Sequence, residues 1–228
     1  MRPQAPGPAH QRPGLVVQVR RLSAGPRILL QDWSLHAPPA SITTVMGPSG
    51  CGKSTLLAAL AGTLLPGTRF EGDIWLDNAH IDTLPPQTRR VGLLFQDDLL
   101  FAHLSVLENL LFAIPRSAGT PRRVDREKAT ERALAALADV ELASYAHANP
   151  ATLSGGQRAR VSALRALLAQ PRVLLLDEPF SRLDMDLRQR FREFVFDQCL
   201  ARGIPTLLVT HDPQDVADTT RVVHLGRA

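Results

Sequence analysis

One nine-residue stretch, GPSGCGKST at 47–55, limits more than any other what this chain can fold into. It matches the pattern G-x-x-x-x-G-K-[ST] and lies between a β-branched run, SITTVM, and a helical pattern. The glycines let the backbone curl so that several N–H groups converge on phosphate oxygens, and the following helix directs its positive N-terminus at them. The stretch therefore predicts a strand, a phosphate-binding loop and a helix, which together bind a nucleoside triphosphate.

Two side chains of this loop have specific roles in that prediction. Lys53 can reach the β- and γ-phosphates, and the Ser54 hydroxyl can ligate Mg²⁺. The residues expected to bind the nucleotide are those of the whole loop: Gly47, Pro48, Ser49, Gly50, Cys51, Gly52, Lys53, Ser54 and Thr55. Kinases, GTPases, helicases and transport ATPases share the motif, so it does not say how the energy is used.

Apolar, β-branched runs alternate with helical patterns along the chain. Strands are predicted at 14–20, 41–46, 72–78, 173–177 and 206–210, and helices at 53–63, 125–140, 155–170 and 186–202. Asp125 is the predicted N-cap of the helix at 125–140. This alternation predicts an α/β fold with right-handed crossovers. The segment from about 97 to 150 has no convincing strand, and we place an inserted helical lobe at about 97–165.

Composition narrows the class of protein. The chain is 44% hydrophobic and 21% charged, as globular proteins are, and no apolar run approaches the ~18–20 residues that span a bilayer. Residues 1–14 contain four prolines and no apolar core of a signal peptide, which predicts a disordered leader before one domain at 15–226. Cys51 and Cys199 form no disulfide framework, which favours a reduced, cytoplasmic setting.

The net charge of +4 comes largely from arginine pairs: Arg20–Arg21, Arg89–Arg90 and Arg122–Arg123. Such pairs usually belong to solvated faces, and the alternatives are attraction to nucleic acid or to an anionic membrane. Aromatic residues make up only 5% of the chain, and neither an aromatic-rich basic strand nor a recognition-helix motif is present in the sequence. We therefore expect no nucleic-acid partner.

Carboxylates and two further polar residues follow other apolar runs. VLLLDEP at 173–179 ends a strand in Asp177, which can hold Mg²⁺, and Glu178, which can polarise an attacking water. Gln96 follows the run LLF, and its amide can meet Mg²⁺ and that water. His211 follows the strand LLVT, where an imidazole can hydrogen-bond the γ-phosphate. Next to a phosphate loop, these positions predict a hydrolytic site.

A second glycine-rich stretch, LSGGQ at 153–157, has no lysine. Its simplest interpretation is a capping box, with Ser154 as N-cap and Gln157 at the third helical position. Two glycines cost roughly 1 kcal/mol each against alanine in a helix, which suggests that something approaches the backbone closely. A bare helix N-terminus binds anions. Because the chain already has a phosphate loop, the anion can belong to the nucleotide of another molecule.

The chain resembles the ATP-binding subunits of ABC transporters over about residues 15–226. GPSGCGKST resembles Walker A, Gln96 the Q-loop, LSGGQ the signature, VLLLDE Walker B, SRLD at 181–184 the D-loop and His211 the switch histidine. The order and spacing of the motifs fit. The resemblance implies a P-loop NTPase (RecA-like) α/β core with a mostly parallel sheet, a small N-terminal antiparallel β subdomain and an inserted helical subdomain.

The resemblance also implies a homodimer that encloses two ATP head to tail. Each ATP would lie between the phosphate loop of one copy and the residues that the other supplies: Ser154, Gly155, Gly156, Gln157 and Asp184. The implied Mg²⁺ ligands are Ser54, Gln96 and, through water, Asp177. The implied catalytic residues are Glu178 as base with His211, Gln96 and Lys53. The signature needs no lysine because the first loop already balances the phosphate charge.

Departures from the family pattern include Arg182 in the D-loop, where a small or neutral residue is commoner, and the first hairpin. ABC subunits commonly stack adenine on an aromatic residue of the first hairpin, and 19–28 contains none here. The contact with the base is then expected either to be weak or to be made by Leu22 or Arg27.

Three kinds of ABC protein compete as interpretations. The pattern is most similar to small bacterial importer subunits of the thiamine, iron and spermidine type, which imply a permease and a periplasmic or lipid-anchored solute-binding protein. Such a subunit lies peripherally on the cytoplasmic face of the inner membrane. An exposed groove at Leu99, Leu100 and Phe101 would dock the permease; the alternative is that these side chains are buried in the helical lobe. A basic surface would face anionic lipid: Arg116, Arg122, Arg123 and Arg126. The alternatives are a soluble assembly ATPase of the iron–sulfur type and an export or lipoprotein-release ATPase.

Overall fold

The fold is that of a computed structural model, which describes residues 13–95, 97–116, 119, 121–181, 183 and 185–226. Gln96 and Asp184, two of the predicted site residues, lie outside the described residues, as does most of the predicted leader. The described chain contains two β-sheets and α-helices, which confirms the predicted α/β class. The bounds predicted for the leader and the inserted lobe stay predictions.

The described strands, in chain order, are β1 (Leu15–Ala24), β2 (Arg27–Ala37), β3 (Ile42–Met46), β4 (Thr68–Leu76), β5 (Ala79–His80), β6 (Val91–Leu94), β7 (Val173–Asp177), β8 (Thr206–Thr210) and β9 (Val222–His224). The described α-helices are α1 (Lys53–Ala61), α2 (Val106–Ala113), α3 (Arg122–Asp139), α4 (Gly155–Leu168) and α5 (Met185–Ala201). One sheet has the order β2-β1-β4-β5 and the other β6-β7-β8-β3-β9. The predicted strands 173–177 and 206–210 are confirmed.

The first sheet is antiparallel and is the predicted N-terminal β subdomain. Its central strand β1 pairs with β2 and β4, so that Val17 lies opposite Leu35 and Ile74. All three side chains are buried. Leu22 is also fully buried in this sheet, so the prediction that it contacts the base is wrong. A side chain enclosed between two neighbouring strands and the core presents no surface to a ligand.

Parallel pairing in the second sheet places two loops side by side. β3 pairs with β8 from Ile42 opposite Thr206 to Met46 opposite Thr210, and with β9 on its other side. Every residue of β8 is buried, which explains its continuous apolar sequence. The phosphate loop follows Met46 and His211 follows Thr210, so both begin at the same edge of the sheet.

By its contacts the chain divides into two compact units, which we describe separately. The first unit consists of Met1–Val91, Arg172–Leu175 and Cys199–Ala228, and the second of Gly92–Pro171 and Leu176–Gln198. The second unit has its own apolar core, built by α2, α3 and α4. We call it the helical unit.

One arginine that the sequence placed on a solvated face is buried in the first unit. Arg89 is 7% exposed, and its guanidinium donates to the carbonyls of Ala59 (2.8 Å) and Leu60 (3.0 Å) at the end of α1. It also donates to the carbonyls of Leu84 (2.8 Å) and Asp82 (2.5 Å). Burial lowers the pKa of Arg89, and Asp82 partly opposes that shift. The expectation of a solvated face is therefore wrong for Arg89, because four backbone carbonyls replace water around it.

The helices α2 and α3 differ in the residue that precedes their first turn. Ser105 starts α2, where its hydroxyl and the Glu108 carboxylate form a capping box. The prediction that Asp125 caps α3 is wrong, because the helix begins earlier at Arg122 and Pro121 occupies the N-cap position. Asp125 lies instead in the first turn, where its negative charge favours the helix N-terminus.

Candidate functional site

The phosphate loop ends at Gly52, the N-cap of α1. Gly52 has φ 102°, and a Cβ at this position would lie 2.9 Å from the Cβ of Leu29. Only glycine satisfies both the left-handed backbone and this close approach. The first turn of α1, all of it described, contains no acidic residue. The positive end of this helix is therefore free to favour an anion, as the sequence predicts.

The side chain of Lys53, which was predicted to reach the phosphates of the nucleotide, folds back onto the phosphate loop. The residue is 7% exposed, and its Nζ donates to the carbonyls of Gly47 (2.8 Å) and Pro48 (3.1 Å). Arg27 approaches the same loop from the first hairpin, because its Nη2 donates to the Gly50 carbonyl at 3.2 Å. Two cationic side chains of the first unit therefore contact the backbone of the phosphate loop.

The turn after β8 holds His211 at the edge of the sheet where the phosphate loop begins. Thr210 Oγ1 donates to Asp215 Oδ2 (3.0 Å) and accepts from the backbone N–H of Asp212 (3.1 Å). Thr210 and Asp215 are both buried, whereas His211 is exposed. The two buried partners brace the turn, and the imidazole belongs to an accessible surface.

The predicted base, Glu178, has an unusual backbone. Asp177 is the last residue of β7, and Glu178 follows it with φ 47°, in the left-handed region. Its carbonyl accepts hydrogen bonds from the backbone and side chain of Ser181 (3.3 and 2.9 Å), which support the turn. A left-handed glutamate costs of order 1 kcal/mol, and strained residues of this kind cluster at functional sites.

The signature stretch begins α4 as the capping-box interpretation predicts. Ser154 Oγ accepts from the N–H of Gln157 (3.3 Å), and Gln157 Oε1 accepts from the N–H of Ser154 (2.8 Å). Both Ser154 and Gly155 are exposed. The box therefore builds the helix end and leaves its first residues on the surface of the helical unit.

The two signature glycines differ in what surrounds them. A Cβ on Gly156 would lie 2.0 Å from Leu187 Cδ2, so packing of α4 against α5 requires a glycine there. A Cβ on Gly155 would meet, among the described residues, nothing closer than Arg158 Nη2 at 3.9 Å. Packing within the described chain therefore requires a glycine at position 156. It does not require one at position 155.

A short segment after the predicted Q-loop position is held by α4. Arg158 Nε donates to Asp98 Oδ2 at 3.0 Å, Ser162 Oγ to the Asp98 carbonyl at 2.9 Å, and Arg165 Nη1 to the Leu99 carbonyl at 2.7 Å. None of these residues was predicted as a candidate from the sequence. Their spacing of four and three positions, which places them on one face of a helix, was the available signal.

The predicted permease-docking residues are only partly exposed. Leu99 is 55% exposed, whereas Leu100 packs against the core of the helical unit. Phe101 is half-buried and lies edge-on to Phe112, with 4.9 Å between ring centroids. For Leu100 the structure therefore agrees with the alternative of burial in the helical lobe, because the apolar core of this unit takes up its side chain. Phe112, which is 71% exposed, is the larger apolar surface nearby.

A cavity of about 700 Å³ lies beside this surface in the helical unit. Its lining combines apolar side chains with four arginines: Leu104, Leu111, Phe112 and Ile114, and Arg116, Arg122, Arg123 and Arg126. Arg123 also pairs with Glu127 at 3.0 Å. The arginines predicted to form a basic surface therefore line one cavity.

Comparison with known proteins decides the family. The model of a domain described as ABC transporter matches residues 30–181, which include the phosphate loop, the signature and Glu178. The chain belongs to the ABC transporter family. ATP-binding subunits of this family bind and hydrolyse ATP to drive transport, so this chain is an ATP-binding ATPase subunit.

Three relatives place the chain among the ABC ATP-binding subunits. It is 48% identical over 200 residues, 87% of this chain and 89% of the relative, to the uncharacterized ABC transporter ATP-binding protein YnjD of Escherichia coli K12. It is 40% identical over 214 residues to the Fe(3+) ions import ATP-binding protein FbpC of Rhizobium etli, and 40% over 199 residues to the sulfate/thiosulfate import ATP-binding protein CysA of Gloeobacter violaceus. These matches cover 93% and 86% of this chain but only 58% and 56% of the relatives.

The described residues bear on two further features of an ABC subunit. None of the described helices has both the length and the apolar character needed to cross a membrane. The described part of the chain also contains no cluster of three histidine, cysteine, aspartate or glutamate side chains placed to bind a metal ion.

Proposed function

We propose that this chain is the energy-coupling ATPase of an ABC importer, and that two copies enclose two ATP head to tail. The observation that carries the proposal is the exposed start of α4, where Gly155 leaves the backbone open and no contact of the described chain explains it. A helix N-terminus of this kind offers N–H groups and a positive dipole end to an anion. The phosphate loop of a second copy would bring that anion.

The phosphate loop would hold the ATP of its own copy. The loop N–H groups and the start of α1 would bind the phosphates, with Lys53 moving its ammonium from the loop carbonyls to the β- and γ-oxygens. The Ser54 hydroxyl and the Asp177 carboxylate are oxygen donors of the kind that Mg²⁺ prefers, and Gln96 would be a third. Mg²⁺ supplies neutralisation of phosphate charge when it is bound.

Three side chains would carry the hydrolytic step. Glu178, held in its strained turn by Ser181, would accept a proton from the attacking water. His211 would donate a hydrogen bond to a γ-phosphate oxygen, and Lys53 would balance the developing charge. Phosphoryl transfer needs mostly positioning and charge stabilisation, which fixed donors of this kind provide.

In the dimer the second copy would complete each site. Ser154, Gly155, Gly156 and Gln157 would supply the N-terminus of α4, and Asp184 would lie at the interface. The Gln157 side chain is already committed to the Ser154 N–H at 2.8 Å. The capping box also engages the N–H groups of Ser154 and Gln157. The main-chain N–H groups of Gly155 and Gly156 and the Ser154 hydroxyl are therefore the donors that would reach the partner's ATP.

Import is the direction that the relatives favour. Two relatives carry import of Fe(3+) or of sulfate and thiosulfate in their names, and a third, PotA 1 of Pseudomonas aeruginosa, carries spermidine/putrescine import. The three solutes differ, so the relatives do not select one for this chain. We propose a membrane permease and a solute-binding protein as partners, with this chain on the cytoplasmic face of the membrane. The permease would contact Leu99, Phe112 and the adjacent cavity.

Substitution of the signature serine tests the head-to-tail site. Ser154→Arg should leave ATP binding to the monomer within about twofold of the original, because the phosphate loop is untouched, and should abolish hydrolysis. Ser105→Arg is the matched control, because Ser105 caps α2 through the same kind of box. Each change removes a cap worth about 1 kcal/mol, so a loss of helix stability affects both variants. Equal hydrolysis by the two variants would refute the trans site.

A pull-down tests the transport assignment. Tagged protein is recovered from mildly solubilised membranes and its partners are identified by mass spectrometry. A multi-span permease is the expected result, and its own binding protein would indicate the solute. Recovery of soluble partners alone would instead support an assembly ATPase of the iron–sulfur type, and an export permease would reverse the direction.

A further inference from the structure

We propose that Arg158, Ser162 and Arg165 are positioning residues that join the start of the signature helix to the segment Asp98–Phe101, so that ATP bound at the signature alters that segment. We call the three the clamp residues and the segment the coupling segment. The inference rests on the proposed function, because it assigns a mechanical role to the two surfaces proposed for ATP and for the permease. All residues involved belong to the helical unit.

The clamp residues lie on one face of α4, and two of them, Ser162 and Arg165, donate to two consecutive carbonyls. The Asp98 carbonyl accepts from Ser162 Oγ (2.9 Å) and from Arg165 Nη2 (3.2 Å), and the Leu99 carbonyl accepts from Arg165 Nη1 (2.7 Å). Arg165 also lies over the Phe101 ring, with its Cζ 5.6 Å from the centroid. One guanidinium therefore contacts three of the four residues of the coupling segment.

Arg158 connects the coupling segment directly to the signature. Its Nε bonds to the Asp98 carboxylate at 3.0 Å, while its Nη1 donates to the carbonyl of Leu153 at 2.6 Å. Leu153 precedes the N-cap Ser154. If the start of α4 shifts toward a bound anion, the Arg158 side chain would therefore transmit that displacement directly to Asp98.

The coupling segment has a strained backbone conformation, which makes it sensitive to a displacement of α4. Leu99 has φ 47°, a left-handed conformation that is sterically strained for a leucine. Its carbonyl is held by Arg165 while its side chain is 55% exposed. Because the strained conformation depends on external hydrogen bonds, release of the clamp would let the exposed leucine move.

A small cavity gives this motion space. It has about 50 Å³ and is lined by Asp98 and Arg158 together with Gly155, Pro179, Leu94 and Phe95. A water molecule occupies about 30 Å³ in the liquid, so the cavity is of the size of one or two waters. The ion pair therefore borders a gap instead of close-packed atoms, and can rearrange without displacing a core side chain.

At its other end the coupling segment is fixed to α2. The buried Asn109 side chain accepts from the Phe101 N–H (2.8 Å) and donates to the carbonyls of Phe101 (3.1 Å) and Leu104 (3.3 Å). The segment thus has a firm support at Phe101 and a support at Asp98–Leu99 that belongs to the signature helix. Movement of α4 would change the angle of the segment between these two supports.

Hydrogen exchange with and without Mg²⁺–AMP-PNP tests the proposal on the whole protein. In the original protein the nucleotide should slow exchange at 154–158 and change exchange at 98–104. In Arg165→Ala the change at 154–158 should persist, whereas the change at 98–104 should fall from about tenfold to less than twofold, as coupling of roughly 5- to 150-fold would predict. A purely structural role for Arg165 would alter exchange equally with and without nucleotide.

Arg160→Ala is the matched control. Arg160 lies on α4 between the clamp residues, and its Nη1 donates to the Val140 carbonyl at 2.7 Å, away from the coupling segment. This variant should keep both nucleotide-dependent changes. An undiminished response at 98–104 in Arg165→Ala, or no response there in the original protein, would overturn the proposal. Absence of any response at 154–158 in the original protein would instead overturn the proposed function, and the coupling with it.

Discussion

Replacement of Gly155 by alanine should raise the stability of the protein and lower its rate of ATP hydrolysis. A Cβ at this position meets nothing among the described residues within 3.9 Å, and Gly155 has no left-handed backbone to strain. Alanine is favoured over glycine in helices by up to about 1 kcal/mol, and part of that gain comes from a less flexible unfolded chain. We therefore expect Gly155→Ala to stabilise the protein by about 0.5–1 kcal/mol.

The same methyl group should damage hydrolysis. A phosphate bound by the first N–H groups of α4 must approach the backbone to about 3 Å, and the Cβ of residue 155 would occupy that approach. Loss of one donor to a transition-state charge typically costs about 10²- to 10³-fold in turnover. A stabilised protein with at least tenfold lower turnover is the expected combination.

Two measurements decide between the outcomes. Thermal unfolding without nucleotide should show a midpoint raised by about 1–4 °C, and steady-state phosphate release should show the fall in turnover. Gly156→Ala is the contrasting variant, because its Cβ would lie 2.0 Å from Leu187 Cδ2 and overpacking costs about 1–3 kcal/mol. If Gly155→Ala hydrolyses ATP at the original rate, then no nucleotide approaches this helix end and the head-to-tail site is refuted.

Three further changes test other parts of the site. Glu178→Gln should bind ATP normally but lose at least about 100-fold in turnover by phosphate release, because it removes the proposed base; near-normal turnover would exclude that role. Arg27→Ala should weaken ATP binding by about two- to fivefold in an equilibrium titration, the effect of losing an exposed cation–π contact, and an unchanged affinity would leave the base contact elsewhere. Hydrogen bonds from Ser105 lower the pKa of Glu108 below 4.5, so its stabilising effect is present above 4.5 and is lost as the pH falls through the folded pKa. The difference in stability between the original protein and Glu108→Gln, measured by denaturant unfolding, should therefore shrink on acidification, whereas a constant difference would contradict the capping role.

Sequence patterns were reliable where one local rule decides the outcome. The phosphate loop required a strand before it and a helix after it, and the S-x-x-Q pattern required the capping box that starts α4. Buried parallel strands were equally clear, because β7 and β8 are continuous apolar runs. β2 was missed because its buried and exposed residues do not alternate regularly.

Contacts between distant parts of the chain could not be derived in this way. Arg89 was expected in solvent, since nothing in its neighbourhood of the sequence shows that α1 ends beside it. The difference between Gly155 and Gly156 depends on Leu187, a residue of another helix. The ion pair of Arg158 with Asp98 joins positions 60 residues apart. In each case the partner is set by tertiary packing and has no local signature.

The two sheets also differ in when their strands leave the ribosome. Every strand of the order β2-β1-β4-β5 lies before residue 81, whereas β3 pairs only with strands that begin at Thr206 and Val222. During synthesis the antiparallel sheet can form as soon as its own strands have emerged, while β3, with the phosphate loop directly behind it, waits until β8 and β9 have also emerged. Unpaired apolar strands of this kind are prone to aggregation. We therefore expect the chain to acquire ATP binding only after β8 and β9 have emerged, and a product truncated before Thr206 would present β3 to chaperones without being able to bind nucleotide.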